Sequence, residues 1–262
     1  MDTIVKYPRT YHLAGSGLQA GDDLPTVPFR ELAGRHLVLE EKVDGANCGI
    51  RFDRSGRLFL QSRGHYLSGG PRERQFELFK SWCAAYASQL FQVLSDRYLL
   101  YGEWLYAKHS LFYDQLPHYF MEFDIFDLQR ERFLSTVRRR ELLSALPFVT
   151  SVRVLYEGQL RSSKELTDLI GPSAFMGPHL VEHLREEAQT QGLDPDQVLR
   201  ETDTSGLMEG LYIKLEDEEQ VLARYKFVRS GFLQTLLDSG EHWANRPLLP
   251  NRLRDNLSIW DV

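Results

Sequence analysis

The sequence has few cysteines, no excess of positive charge and no long apolar runs. Its two cysteines, Cys48 and Cys83, lie far apart in a chain of 262 residues. They form no C-x-x-C or comparable metal-binding spacing, which excludes a disulfide scaffold and a zinc site of the usual kind. A reducing, cytoplasmic setting is therefore expected. The N-terminal stretch MDTIVKYPRTYHLAGSG lacks the apolar core of a secretion signal, and no run approaches membrane-spanning length. No membrane partner is expected. The formal net charge is −6, which runs mildly against a nucleic-acid binder that is basic overall. A local basic groove on an acidic protein would still hold backbone phosphates.

What is present suits one large domain with a substantial core. Aromatics make up 12% of the chain, which fits either a thick β core or a base-stacking site. Composition does not separate the two. The first thirty residues are rich in Pro, Gly and Asp and read as ordered loop with room for a short strand. Strands then dominate: His36–Val43, Asn47–Asp53 and Arg57–Ser62, the last two joined by the tight turn Arg54-Ser55-Gly56. Apolar residues from Phe76 to Phe91 recur at three- and four-residue spacing and predict a helix over about 71–94, with Pro71 in its first turn. Two apolar strands follow, Arg97–Tyr106 and His118–Asp127. From about Ser135 to Arg200 the chain reads as helical, with Ser162 and Glu165 spaced as a capping box and Asp194-Pro195 as a helix start. Gly210–Glu216 and Gln220–Val228 are again strands, and the tail from Ser230 reads as one short helix and irregular chain. This order predicts an α+β fold with antiparallel sheets flanked by helices.

The chemistry centres on Lys42 in EEKVDGANCGI. A lysine nucleophile needs a rigid element, a way to shed its proton and room for a bulky substrate. The end of a strand, with Gly45 opening a turn, meets the first and third needs. An ordinary exposed lysine at a strand end fits the same pattern. Two acids, Glu103 in YGEWLY and Glu209 in LMEGLYIK, sit in strand contexts where a charge is costly. Each reads as a divalent-metal ligand or as a strand-edge acid facing water. In ARYKFVR, Arg224 and Lys226 alternate and so share one strand face, where cations would meet phosphate oxygens. Lys214 is a further candidate. A solvated charged face explains these cations equally well.

Taken in order, KVDG, SRG, YGEW, FDIF, EGLYIK and RYK resemble the covalent nucleotidyltransferases, the superfamily of ATP-dependent RNA and DNA ligases and capping enzymes. The RNA ligase 2 type is the nearest pattern, from Glu41 to about Lys226. KYPRTYHL and AKHSLFYDQLPHYF add to the likeness. The resemblance implies Lys42 as the residue that becomes adenylylated, with Glu41 near the adenine. It implies that Asn47 serves the nucleic-acid steps, that Arg63 contacts the nucleotide or the RNA end, and that Phe123 stacks on adenine. Glu103 would bind the ribose or act through metal-bound water, Glu209 would be the metal-linked acid, and Arg224 and Lys226 would hold the α-phosphate. Arg224 stands where the family usually has lysine, and a planar fork is not a point charge.

The implied cofactors are ATP and Mg2+ or Mn2+. The implied substrate is RNA with 5′-phosphate and 3′-hydroxyl ends, in RNA repair, with an end-processing protein as a further expected partner. An adenylyltransferase domain is expected over 1–229, with a helical insertion at about 135–201, and a short tail over 230–262 packed on it. The 36 residues after Lys226 are too few for an OB-fold, so none is expected. A DNA ligase, a capping-type enzyme and a catalytically idle nucleotide- or RNA-binding module are the competing readings. Asp44 reads as a turn cap. The role of His109 stays open, and Arg138-Arg139-Arg140 reads as a solvated helix face or an RNA contact.

Overall fold

The computed structural model describes residues 4–18, 25–232 and 247–261. Their strands form two sheets. One has the order β1-β11-β10-β2-β9, built from β1 (Tyr11–His12), β2 (His36–Lys42), β9 (Val154–Gln159), β10 (Gly210–Glu216) and β11 (Val221–Val228). The other runs β4-β3-β5-β6-β7, from β3 (Ala46–Phe52), β4 (Leu58–Ser62), β5 (Tyr98–Trp104), β6 (Phe120–Asp127) and β7 (Arg132–Phe133). A short β8 (Thr150–Ser151) pairs with β6. Apart from the parallel pairs β1–β11 and β6–β8, every pairing is antiparallel.

Alternation along each strand sorts the residues between two faces. In the second sheet, Cys48, Ile50, Leu100, Trp104 and Phe120 pack with Phe79, Trp82 and Leu90 of α1 (Glu77–Ala85) and α2 (Ala87–Leu94). In the first sheet, Leu37, Leu39, Leu211, Ile213 and Leu215 pack on the face away from Lys42, against Leu32 and Leu166. That leaves the polar faces of both sheets, carrying Glu40, Lys42, Tyr212 and Lys226 on one and Asn47 and Glu103 on the other, around a shared cavity.

The predicted helix over 71–94 is divided. Its first turn is a 3-10 helix (Pro71–Phe76), and Tyr86 breaks the rest. The Tyr86 ring stacks on Phe148 at 4.3 Å and its hydroxyl donates to Trp260 O, so tertiary contacts override helical spacing there. The stretch 135–200 is not wholly helical. It contains α3 (Thr136–Leu143), α4 (Ser163–Thr167), α5 (Leu180–Thr190) and α6 (Pro195–Arg200), but also β8 and β9. The apolar and aromatic run Val154-Leu155-Tyr156 becomes a strand because β2 offers an unpaired edge, which β9 closes. Ser162 caps α4 through Glu165 N, while the Glu165 carboxylate takes the N–H of Arg161 rather than that of Ser162. Asp194 caps α6, with Pro195 in its first turn.

The short helix expected after Ser230 falls largely outside the described residues. Residues 247–261 cross the loop that follows β5. Asn251 donates to Leu105 O and accepts from Tyr113 N, and His118 donates to Ile259 O.

Candidate active site

Pairing of β2 with β10 places Lys42 opposite Gly210 and therefore beside Glu209. The Lys42 Nζ lies 2.6 Å from Glu209 Oε2. Gly210 has to be glycine: a Cβ there would sit 1.9 Å from Phe227 O of the neighbouring strand. Gly45 is equally constrained, since its Cβ would meet Trp104 O at 2.7 Å, and this close approach brings the loop after Lys42 onto β5. Register between β3 and β5 sets Asn47 opposite Glu103. Tyr212 lies opposite Lys226 on β11.

Of these residues, Lys42, Asn47, Glu103, Tyr212 and Lys226 meet in one cavity of about 200 Å3. Its walls include Lys42, Arg63, Asn47 and Glu103 at one end and Tyr7, Glu40, Phe123, Val152 and Tyr212 at the other, and Lys226 starts from the same strand row as Glu40 and Tyr212. The two ends differ in chemistry. The first gathers cations and acids, and the second aromatic rings with a polar floor. Arg63 is exposed, on the loop that leaves β4. Phe123 is half-buried, edge-on to Tyr7 with centroids 5.2 Å apart.

Burial governs the acids of the first end. It pushes Glu209 up to about 7 against the pull of Lys42. It pushes Glu103 up to about 8, again against Lys42, with Asp44 and Glu209 adding repulsion. For Lys42, burial disfavours the charge, but Glu209, Glu103 and Asp44 outweigh it and the ammonium is held above its ordinary range. Buried Glu209 and half-buried Glu103, with Lys42 as a shared counter-charge, suit a further cation. Among the described residues no group of three or more His, Cys, Asp or Glu forms a cage. Mg2+ commonly needs only one or two carboxylates, because it keeps waters and takes substrate phosphates. Glu209 and Glu103 fit that donor set.

Several expected site residues sit differently. The Glu41 carboxylate turns to the opposite face of β2 from Lys42, where Ser173 Oγ donates to it and Ala174 N approaches at 3.4 Å. Glu41 lines the cavity, but its carboxylate is engaged elsewhere. Arg224 is not among the cavity's lining residues: its Nε donates to Asp124 Oδ2 at 2.9 Å and its guanidinium lies 3.6 Å from the Phe133 ring centroid. Asp44 does not cap its own turn but accepts the backbone N–H groups of Ser110 and Leu111. His109 is buried beside it, 3.9 Å from Asp44 Oδ1.

Behind the second end lies a buried ion cluster. Arg139 donates to Glu40 Oε1 at 2.6 Å, to Glu122 Oε1 at 3.2 Å and to Phe123 O. Lys214 donates to Glu40 Oε1 at 3.0 Å and to Phe123 O, and lies 3.3 Å from Asp124 Oδ1. Tyr7 reaches in from the N-terminal segment and donates to Asp124. Gln61 and Tyr101 both donate to Val5 O, which pins that segment over the sheet. Burial alone would raise Asp124, but Arg224, Lys214, Arg139 and the Tyr7 hydroxyl bring it down to about 2. Glu40, Tyr7 and Ser173 were not singled out from sequence. Alternation along EEK would have shown that Glu40, not Glu41, shares the face of Lys42.

A family model described as RNA ligase matches residues 35–228, and the chain belongs to the RNA ligase family. Solved structures give the same fold. A Naegleria gruberi RNA ligase variant with ATP and Mn aligns at a TM-score of 0.51 and 16% identity, over 80% of this chain and 54% of that one. An apo variant aligns at 0.52 and 17%, with the same shares of 80% and 54%. Another variant with ATP and Mn aligns at 0.52 and 15%, over 91% of this chain and 64% of that one. The chain thus spans 54–64% of the length of those ligases. No curated protein matches it significantly.

Proposed function

We propose that this protein joins RNA ends at the expense of ATP, through an AMP carried on Lys42. The observation that carries this reading is the Lys42–Glu209 contact of 2.6 Å, with Lys42 lining a cavity together with Lys226, Arg63, Asn47, Glu103 and Phe123. The triphosphate lies toward the cations and the base toward the aromatic end. Neutral Lys42 Nζ attacks the α-phosphorus, an N–P bond forms and the bond to the bridging oxygen of pyrophosphate breaks. Glu209 is the base nearest the ammonium proton. Glu209 and Glu103 would hold a divalent metal, which would neutralise charge on the phosphates.

Lys226 balances the charge that builds on the α-phosphate oxygens, and Arg224 supports it only indirectly, through Asp124 and the strand they share. The AMP then passes to an RNA 5′-phosphate, and a 3′-hydroxyl attacks that activated end and releases AMP. Splitting one displacement into several is the general advantage of a covalent intermediate. The ATP and Mn that accompany the Naegleria ligases, together with the family match, support the choice of nucleotide, metal and nucleic acid.

The test is incubation with Mg2+ or Mn2+ and ATP labelled at the α-phosphate, followed by a denaturing gel and a nicked RNA duplex. Label on the protein and a sealed strand are expected. No label with either metal contradicts the proposal, and preferential labelling by GTP points to a capping-type enzyme.

A further inference from the structure

Lys42 is the last residue of β2. Pairing with β9 stops at Glu40, so Lys42 takes its strand partner, Gly210, from β10. The chain just beyond Lys42 is fixed by the loop between β5 and β6, residues 105–119. Ser110 N and Leu111 N donate to Asp44 Oδ2 at 2.7 and 3.0 Å. Asp44 N donates to the Tyr113 hydroxyl at 2.8 Å. Asp44 is thus gripped by both its carboxylate and its backbone, two residues after Lys42.

That loop is itself buried: Leu105, Leu111, Phe112, Tyr113 and Leu116 are each 1% exposed or less. Buried backbone outside a helix or sheet must find its hydrogen bonds elsewhere. Residues 247–261 supply them. Lys108 N donates to Leu249 O at 2.7 Å, and Asn251 N to Tyr106 O at 2.8 Å. Arg252 N donates to Tyr113 O at 2.8 Å, and Arg254 N to Leu116 O at 2.8 Å. At the centre is Asn251, itself 1% exposed. Its side-chain NH2 donates to Leu105 O at 2.7 Å and its side-chain oxygen accepts from Tyr113 N at 2.9 Å. Its backbone oxygen accepts from the Tyr119 hydroxyl at 2.9 Å. An amide offers a donor and an acceptor together, which an ionised Asp or a Leu does not. Tyr113 therefore has its backbone set by the C-terminal segment and its hydroxyl set against Asp44, with a rigid ring between.

Resting on the reading of Lys42 as the nucleophile, we infer that Asn251 is a positioning residue for Lys42, acting through Tyr113 and Asp44. An attacking nitrogen must be held in line with its phosphorus, and a misplacement of about 1 Å costs about 100-fold in rate. Asn251 keeps the loop in the arrangement that brings Ser110, Leu111 and Tyr113 to Asp44. The residues that line the cavity include neither Asn251 nor Tyr113. The effect therefore falls on the chemical step and not on nucleotide affinity.

Two measurements on the full chain test this. The first is hydrogen exchange read by mass spectrometry, with no nucleotide present. Asn251→Ala should speed exchange about 10- to 100-fold at residues 43–47 as well as at 105–116, while β10 keeps its wild-type protection. The second is the rate of Lys42 labelling at saturating ATP. Asn251→Ala and Tyr113→Phe should each label about 10- to 100-fold more slowly, with the KM for ATP within about 3-fold of wild type. The double variant should be at most about 3-fold slower than the slower single variant, because both residues act along one route. Should Asn251→Ala not fold, Asn251→Ser, which keeps one shorter polar group, takes its place with the same expected results. Faster exchange confined to 105–116 overturns the inference, as do wild-type labelling by Tyr113→Phe and fully multiplicative effects in the double variant. A wild-type protein that takes no label removes the ligase reading instead, and exchange at 43–47 then decides the link from Asn251 to Asp44 by itself.

Discussion

Two groups of charge meet β2 at positions two residues apart, one at Lys42 and one at Glu40, and their acids behave in opposite ways. At Lys42, Glu209 is pushed up to about 7 and Glu103 to about 8. At Arg139, Asp124 is brought down to about 2. Burial acts on all three in the same direction. The difference lies in the count of cations. Asp124 is surrounded by Arg224, Lys214 and Arg139, whereas Glu209 and Glu103 share Lys42 as their nearest partner. The group at Arg139 is charge-balanced and structural, and the group at Lys42 is short of positive charge. A divalent cation would relieve that shortage.

The largest expected effect breaks the balanced group. Arg139→Ala leaves Glu40 and Glu122 buried without their guanidinium and should cost about 3–5 kcal/mol. Urea unfolding measures it, and a loss under 1 kcal/mol would mean that the cluster is not holding the fold.

Next comes the unbalanced group. The folded carboxyl of Glu103 titrates near 8 instead of 4.5, so between those values the unfolded chain gives up its proton first. Stability must therefore fall as pH rises through that window. Glu103→Gln removes this loss. It should stabilise the ligand-free protein by about 2–4 kcal/mol at pH 8 and by little at pH 5, while depressing Lys42 labelling. A variant that is less stable at pH 8 contradicts the charge shortage.

Asp124 has the opposite sign. Its folded value lies below the ordinary 3.8, so its contribution is present above pH 4 and is lost as pH falls through about 2. That contribution is about 2 kcal/mol. Acid unfolding curves of wild type and Asp124→Asn should differ in slope between pH 4 and pH 2, with the variant flatter. Parallel curves would remove Asp124 from the balanced group. Smallest is a control outside both groups: Ser162→Ala removes the α4 cap and should cost about 1 kcal/mol without altering nucleotide binding.

The same contrast explains what the sequence could and could not disclose. The placement of Lys42, Asn47 and Glu103 was legible because each sits in a strand whose period of two is visible, and that of Glu209 because Gly210 beside it marks a close approach. Arg139 was not. It sits between Arg138 and Arg140 in TVRRRELL, a helix with no apolar stripe, and those two neighbours are exposed. Its partners lie 99 and 17 residues away, so nothing local marks it as buried. Tyr7 escaped for a similar reason: its segment has no periodicity, and its partner Asp124 is 117 residues distant. Strand β9 was hidden among helical signals because its pairing depends on a vacant edge of β2, a property of the assembled sheet.

The central claim is that Lys42, beside Glu209, carries the AMP. The most direct measurement is mass spectrometry of tryptic peptides after incubation with ATP and Mg2+. The account predicts an adenylyl group on the peptide containing Lys42, absent when Lys42→Ala is treated in the same way. An adenylyl group on any other residue, or a Lys42→Ala protein that is still adenylylated, would contradict it.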